Sequence, residues 1–187
     1  RAPLPGTYSY AESIVLAQTA LHAERSRQAT LTRTWIDNGK KDGPIRRQLA
    51  EGGETNGYVS VYQYEWTDDA MVLVAEGREH GTDTYTCKYD AAPLELQLPL
   101  RVGVKWKTEG HCLGSDGADL NISGRAEVTG TAVDKIDGTK IPTFVVRATR
   151  VTTSSRPGQP AASLHAVQTM HIEPNQSLLV SEDFTEV

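Results

Sequence analysis

Polar and apolar residues alternate with period two along most of this chain, the pattern of strands buried on one face. In YVSVYQYEW, Tyr58, Tyr62, Tyr64 and Trp66 share the even face, and Thr67, Asp68 and Asp69 supply a turn into MVLVAEG. That predicts a hairpin. NISGRAEVTGTAV sets Ile122, Ala126, Val128 and Ala132 against Ser123, Arg125, Glu127 and Thr129, and the Asp137-Gly138 pair introduces TFVVRATRVTT as a second hairpin. After SSRPGQP, a loop by composition, SLHAVQTMHI places Leu164, Ala166, Met170 and Ile172 on one face, and Pro174-Asn175 turns it into SLLVSEDF. Strand follows strand with no helical pattern between them. The expected fold is mainly β, an antiparallel meander in a single domain over residues 1–187.

The N-terminal quarter fits two patterns. A strand is expected from Thr7 to roughly Ser13, another through TLTRTW, and a short one near Ile45 to Leu49 between glycine-rich loops. In YAESIVLAQTALHAERSRQ, however, Ala, Glu, Gln and Leu favour a helix with Ile14, Ala17 and Leu21 on one face, whereas Tyr8, Tyr10 and Ile14 also fit a strand. Residues 13–28 stay open between strand and one helix near the N-terminus.

Both cysteines lie in CKYDAAPLELQLPLRVGVKWKTEGHC. In RVGVKWKTEGHC the even positions Val102, Val104, Trp106, Thr108, Gly110 and Cys112 oppose Arg101, Gly103, Lys105, Lys107, Glu109 and His111, so Cys112 falls on the apolar face. In DTYTCKY, Cys87 shares a face with Tyr85 and Tyr89. The two sulfurs can meet inside, and a Cys87–Cys112 disulfide is expected over a pair of buried free thiols. Pro93 and Pro99 lack ladder N–H groups and mark a crossing connection between the two strands.

Composition and charge narrow the partners. With 187 residues, 38% hydrophobic and 23% charged, the chain is long enough for a real core. Its net charge of −5 argues against a nucleic-acid partner, which calls for a basic stripe. No apolar run approaches the ~18 residues of a membrane span, so no transmembrane segment is expected, and RAPLPGTYSY lacks the apolar core of a signal peptide. That start suits a chain numbered after a removed signal, anchor or tag.

The search for chemistry returns no catalytic constellation. The histidines at 22, 80, 111, 165 and 171 lack zinc-motif spacing, and His165 and His171 read as exposed residues about 20 Å apart along one strand. GSDGADLN offers Asp116, Asp119 and Asn121 without calcium-loop spacing, and reads as a turn. Nucleophile elbow, phosphate loop and dinucleotide fingerprint are all missing, so no cofactor is expected. NIS at 121 and NQS at 175 match the glycosylation acceptor, a pattern common by chance. The aromatic face of Tyr58, Tyr62, Tyr64 and Trp66 is the candidate ligand-binding surface, with core packing as the competing reading.

GTYSY, TLTRTW, YTCKY, LPLRVGVKW, GHC and a closing HIEPNQSLLVSEDF, in this order, resemble a group of exported or membrane-anchored envelope proteins of high-GC Gram-positive bacteria. In that group a cysteine strand is followed by Pro-Leu-x-x-Gly-x-x-Trp and a second cysteine. Pro99, Leu100, Gly103 and Trp106 match the phrase, with Cys87 and Cys112 in the cysteine places. The ending departs, with Met170-His171 where a Trp is usual and a loose Pro174 turn. The resemblance implies an extracytoplasmic, disulfide-bonded protein, secreted or anchored to the envelope, with a curved sheet or half-open barrel similar to lipoprotein carriers. The expected function is binding without catalysis, of an apolar or lipid-like small molecule on a concave sheet face. The alternative is an interaction or scaffold domain meeting an envelope protein partner.

Overall fold

The computed structural model describes residues 6–18, 23–37, 45–52, 59–80, 82–175 and 178–186, with side chains for 59–79, 82, 84–175 and 179–183. Twelve strands follow one another along the chain: β1 (Gly6–Gln18), β2 (Ala23–Asp37), β3 (Ile45–Gly52), β4 (Val59–Trp66), β5 (Ala70–His80), β6 (Asp83–Ala91), β7 (Leu94–Gln97), β8 (Lys105–Gly114), β9 (Asp119–Ile136), β10 (Thr139–Ser155), β11 (Ala162–Glu173) and β12 (Leu178–Glu186). All belong to one antiparallel sheet in the order β1-β2-β3-β4-β5-β6-β8-β9-β10-β11-β12, with β7 set aside against β5. The sheet curls into a half-barrel, and its two edge strands, β1 and β12, come into contact.

Alternation explains which face turns inward. In β8, Trp106, Thr108, Gly110, Cys112 and Gly114 are buried while Lys105, Lys107, Glu109 and Leu113 are exposed. The even residues therefore line the concave face. The hairpin of β4 and β5 turns at 67–69, where the Thr67 N–H donates to the Ala70 carbonyl at 2.9 Å. The hairpin of β9 and β10 turns at Asp137 (φ 48°) and Gly138 (φ 80°), the two left-handed positions that a two-residue turn matched to strand twist requires.

Two expectations needed correction. Residues 13–28 contain no helix among the described residues: 13–18 and 23–28 are strand, in register from Ser13 opposite Gln28 to Gln18 opposite Ala23. Helix preference amounts to only a few tenths of a kcal/mol per residue, and a continuous ladder outweighs it. Residues 19–22 lie outside the described residues. The strand read from Arg101 begins instead at Lys105. Arg101 to Val104 form a turn around Gly103 (φ 88°) and leave Val102 58% exposed, because spaced valines beside a glycine imitate a strand's alternation.

Two apolar clusters fill the described interior. One joins Trp66, Leu96, Leu98, Leu100, Trp106, Ala126, Val128, Val146 and Ile172. The other joins Leu73, Cys87, Tyr89, Cys112 and Ile122. Cys87 and Cys112 are disulfide-bonded, with Cα atoms 5.8 Å apart, and both are wholly buried. Tyr89 lies opposite Cys112 and Cys87 opposite Gly114, so the bond runs diagonally between neighbouring strands β6 and β8.

The connection between those strands carries on along β5 where β6 leaves it, antiparallel throughout, from Ala75 opposite Lys88 to Val72 opposite Leu94 and Ala70 opposite Gln97. The buried Pro93 rests on Gly110, where a Cβ would stand 2.8 Å from the proline ring, so only glycine admits this close approach to β8. The Leu73 N–H donates to the Pro93 carbonyl (3.0 Å), the Thr108 hydroxyl to the Leu94 carbonyl (2.6 Å), and the Leu98 N–H to the Asp69 carbonyl (2.7 Å). These bonds satisfy a buried backbone that has only four residues of strand. Leu96, Leu98 and Leu100 then complete the first apolar cluster.

Candidate functional site

Above the disulfide the half-barrel is not filled. A cavity of about 490 Å³ opens on the concave side, bounded by Ser60 and Tyr62 of β4, Glu76 to Arg78 of β5, Thr84 and Tyr85 of β6, Leu120 of β9, and the β8–β9 turn. Tyr62, Tyr85 and Leu120 also pack against the disulfide cluster, so that cluster forms the cavity floor. At the rim, Arg156 of the β10–β11 loop pairs with Asp116 of the β8–β9 turn. Gly114 is the position that lets the Tyr85 ring lie across β8, since a Cβ there would stand 2.7 Å from the ring.

The wall is charged. Glu76 lies largely buried, and burial raises its carboxyl above the usual range against the lowering effects of Tyr89 and Arg150. The cation that lowers it most is already engaged, because Arg150 of β10 is ion-paired with Glu95 of β7. β7 lies in the lane between β5 and β8, and β10 is three strand spacings from it, about 14 Å on a flat sheet. The pair forms only because the sheet curls. Burial, followed by the charge of Glu76, pushes the Tyr89 phenol well above its ordinary value. The same causes, with Asp116, raise Tyr85.

The aromatic row of β4 divides between core and cavity. Trp66 is buried in the first cluster, Tyr64 packs against both clusters, and Tyr62 lines the cavity. Ring centroids are 6.3 Å apart for Tyr62 and Tyr64, and 5.6 Å for Tyr64 and Trp66. Tyr58 lies outside the described residues. Glu76, Glu95, Arg150 and Arg156 escaped the sequence reading, for their partners come from strands distant in sequence. Glu76 shares the inward face with the odd Leu73 only because a bulge shifts the β4–β5 register between them, and alternation along β5 carries no sign of that.

The histidines are placed differently from one another. His165 is exposed as expected, whereas His171 is hydrogen-bonded at 2.9 Å to Asp134, which also accepts a bond from the buried Thr143 hydroxyl. Burial opposes ionisation of Asp134, but the bonds from Thr143 and His171 prevail and hold its carboxyl below the usual range. Hydroxyl and imidazole both address the carboxylate and not each other, unlike a nucleophile and its base. His111 sits on the outer face between Asp90 (2.8 Å) and Asp119 (3.4 Å), and the Asp90 bond raises its pKa. Among the described residues no three acidic, histidine or cysteine side chains form a metal-binding group, and no helix is long and apolar enough to cross a membrane.

Fold and site together define a mainly β protein, a curled sheet with a charged cavity over a stapled floor. No family model, curated protein or solved structure matches the chain.

Proposed function

We propose that this is a non-catalytic extracytoplasmic envelope protein that holds a small polar ligand in the concave cavity above the Cys87–Cys112 bond. The observation that carries the reading is the cavity itself, about 490 Å³ with Tyr62, Glu76, Arg78 and Tyr85 in its wall. Concave sites with a few convergent polar groups and a carboxyl raised by burial are the default places for ligands. The charged wall favours a polar molecule, or the polar head of a lipid-like one, over a bare apolar chain, whose burial there would strip the remaining hydration from Glu76. The disulfide suits an oxidising compartment. A second reading, an interaction or scaffold domain, draws on the packed half of the interior, where the β7 leucines fill space that a carrier would leave open. Native mass spectrometry of protein purified from its own envelope separates the two. A copurifying small molecule supports the cavity reading, and its absence together with a stoichiometric protein partner overturns it.

A further inference from the structure

The outer face of the same sheet carries a concentration of cations that the chain's net charge of −5 does not foreshadow. Lys105 and Lys107 of β8, Arg125 of β9 and Arg147 of β10 are all exposed and line a shallow groove of about 640 Å³ with Thr129 and Thr149. The register sets Lys107 directly opposite Arg125. Like charges facing each other across a strand pair cost stability. One carboxylate, Glu127, lies among the four, opposite both Lys105 and Arg147, and it is paired with Lys105 at 3.3 Å. Lys107, Arg125 and Arg147 make no ion pair among the described residues.

We propose that this convex face docks the protein on an anionic membrane surface, with Lys107, Arg125 and Arg147 meeting lipid phosphates. Neighbouring strands space these side chains by roughly 5 Å, and alternate residues along a strand by roughly 7 Å. The four spread over three strands and two positions along β8, wider than one phosphate, so a single phosphate does not satisfy them all. A plane of phosphates meets all of them together, each adding attraction that salt screens. Docking by this face leaves the concave cavity turned away from the lipid and open.

Cosedimentation of the full chain with vesicles tests the proposal. Binding is expected to vesicles of phosphatidylcholine with phosphatidylglycerol at low salt, to weaken as salt rises, and to be missing with phosphatidylcholine alone. Replacing Lys107, Arg125 and Arg147 together by Gln should weaken binding on the order of a hundredfold, about fivefold for each cation. The control Lys140→Gln, on the β9–β10 hairpin, should bind as the parent does. Arg125→Gln alone should also raise Tm by removing the like-charge pair, a result that excludes misfolding as the cause of lost binding. No binding to the anionic vesicles at low salt, or undiminished binding by the triple variant, overturns the proposal. So does retention on polyphosphate or duplex DNA without vesicle binding.

Discussion

Two residues decide how the cavity is held and charged. Cys87→Ser removes a bond that closes 25 residues of chain, and the loss expected in denaturant unfolding is about 3.5 kcal/mol. Neither cysteine of the folded parent should react with a thiol reagent under denaturing, non-reducing conditions, and labelling of both would refute the bond. Glu76 acts through protons. Its carboxyl is raised in the folded protein, so between the ordinary glutamate value and the raised one the native state holds more protons than the unfolded chain. Its contribution is therefore complete at acid pH and is lost as pH rises through the folded value. Glu76→Gln should be more stable than the parent at neutral pH, with the difference disappearing toward pH 4. Urea unfolding across that range measures it, and a constant difference would mean that the carboxyl is not titrating in that window. Cysteine alternation is readable from residues two apart, which is why Cys112 could be placed inward beside Trp106. The burial of Glu76 depends on strands β6 and β10 and left no comparable mark.

At the scale of elements, β7 shows where period-two reading loses its grip. LELQLPL alternates well, and its prolines suggest a crossing, whereas β7 continues along β5 in the direction of β6. Which face of which neighbour it meets is decided by Gly110 under Pro93 and by the Arg150 partner of Glu95. Glu95→Gln leaves the Arg150 charge in a largely buried place and should cost about 2 kcal/mol, below the ~3–5 of a fully buried pair because a fifth to a quarter of each side chain is exposed. Glu95→Leu with Arg150→Met should recover much of that loss. A double-mutant cycle in denaturant gives the coupling directly, and strict additivity would mean that the two side chains do not interact. Hairpins were more legible: the Asp137-Gly138 turn and the Thr67 to Asp69 turn both carry their chemistry in adjacent residues. Residues 13–28 were not, since alanine-rich composition suits an isolated helix and the strand exists only through its partner.

For the molecule as a whole, every strand from β1 to β12 joins one sheet, and Trp35, Trp66 and Trp106 lie in strands spread along it. Tryptophan fluorescence and far-ultraviolet circular dichroism should therefore report one coincident unfolding transition, and two separated midpoints would show that the sheet melts in parts. The sequence by itself determined most of the strands outside residues 13–28, most of the turns between them, and the inward aim of both cysteines. Each of these follows from contacts between residues near in sequence, where a period of two or a turn dipeptide is sufficient. Only the tertiary structure decided the curl, the filling of one half by β7, the charged cavity over the other, and the cations gathered outside on β8 to β10. Curvature sums small twists over many strands, and side chains that meet across it, such as Glu95 and Arg150 at 55 residues apart, leave no local periodicity to read.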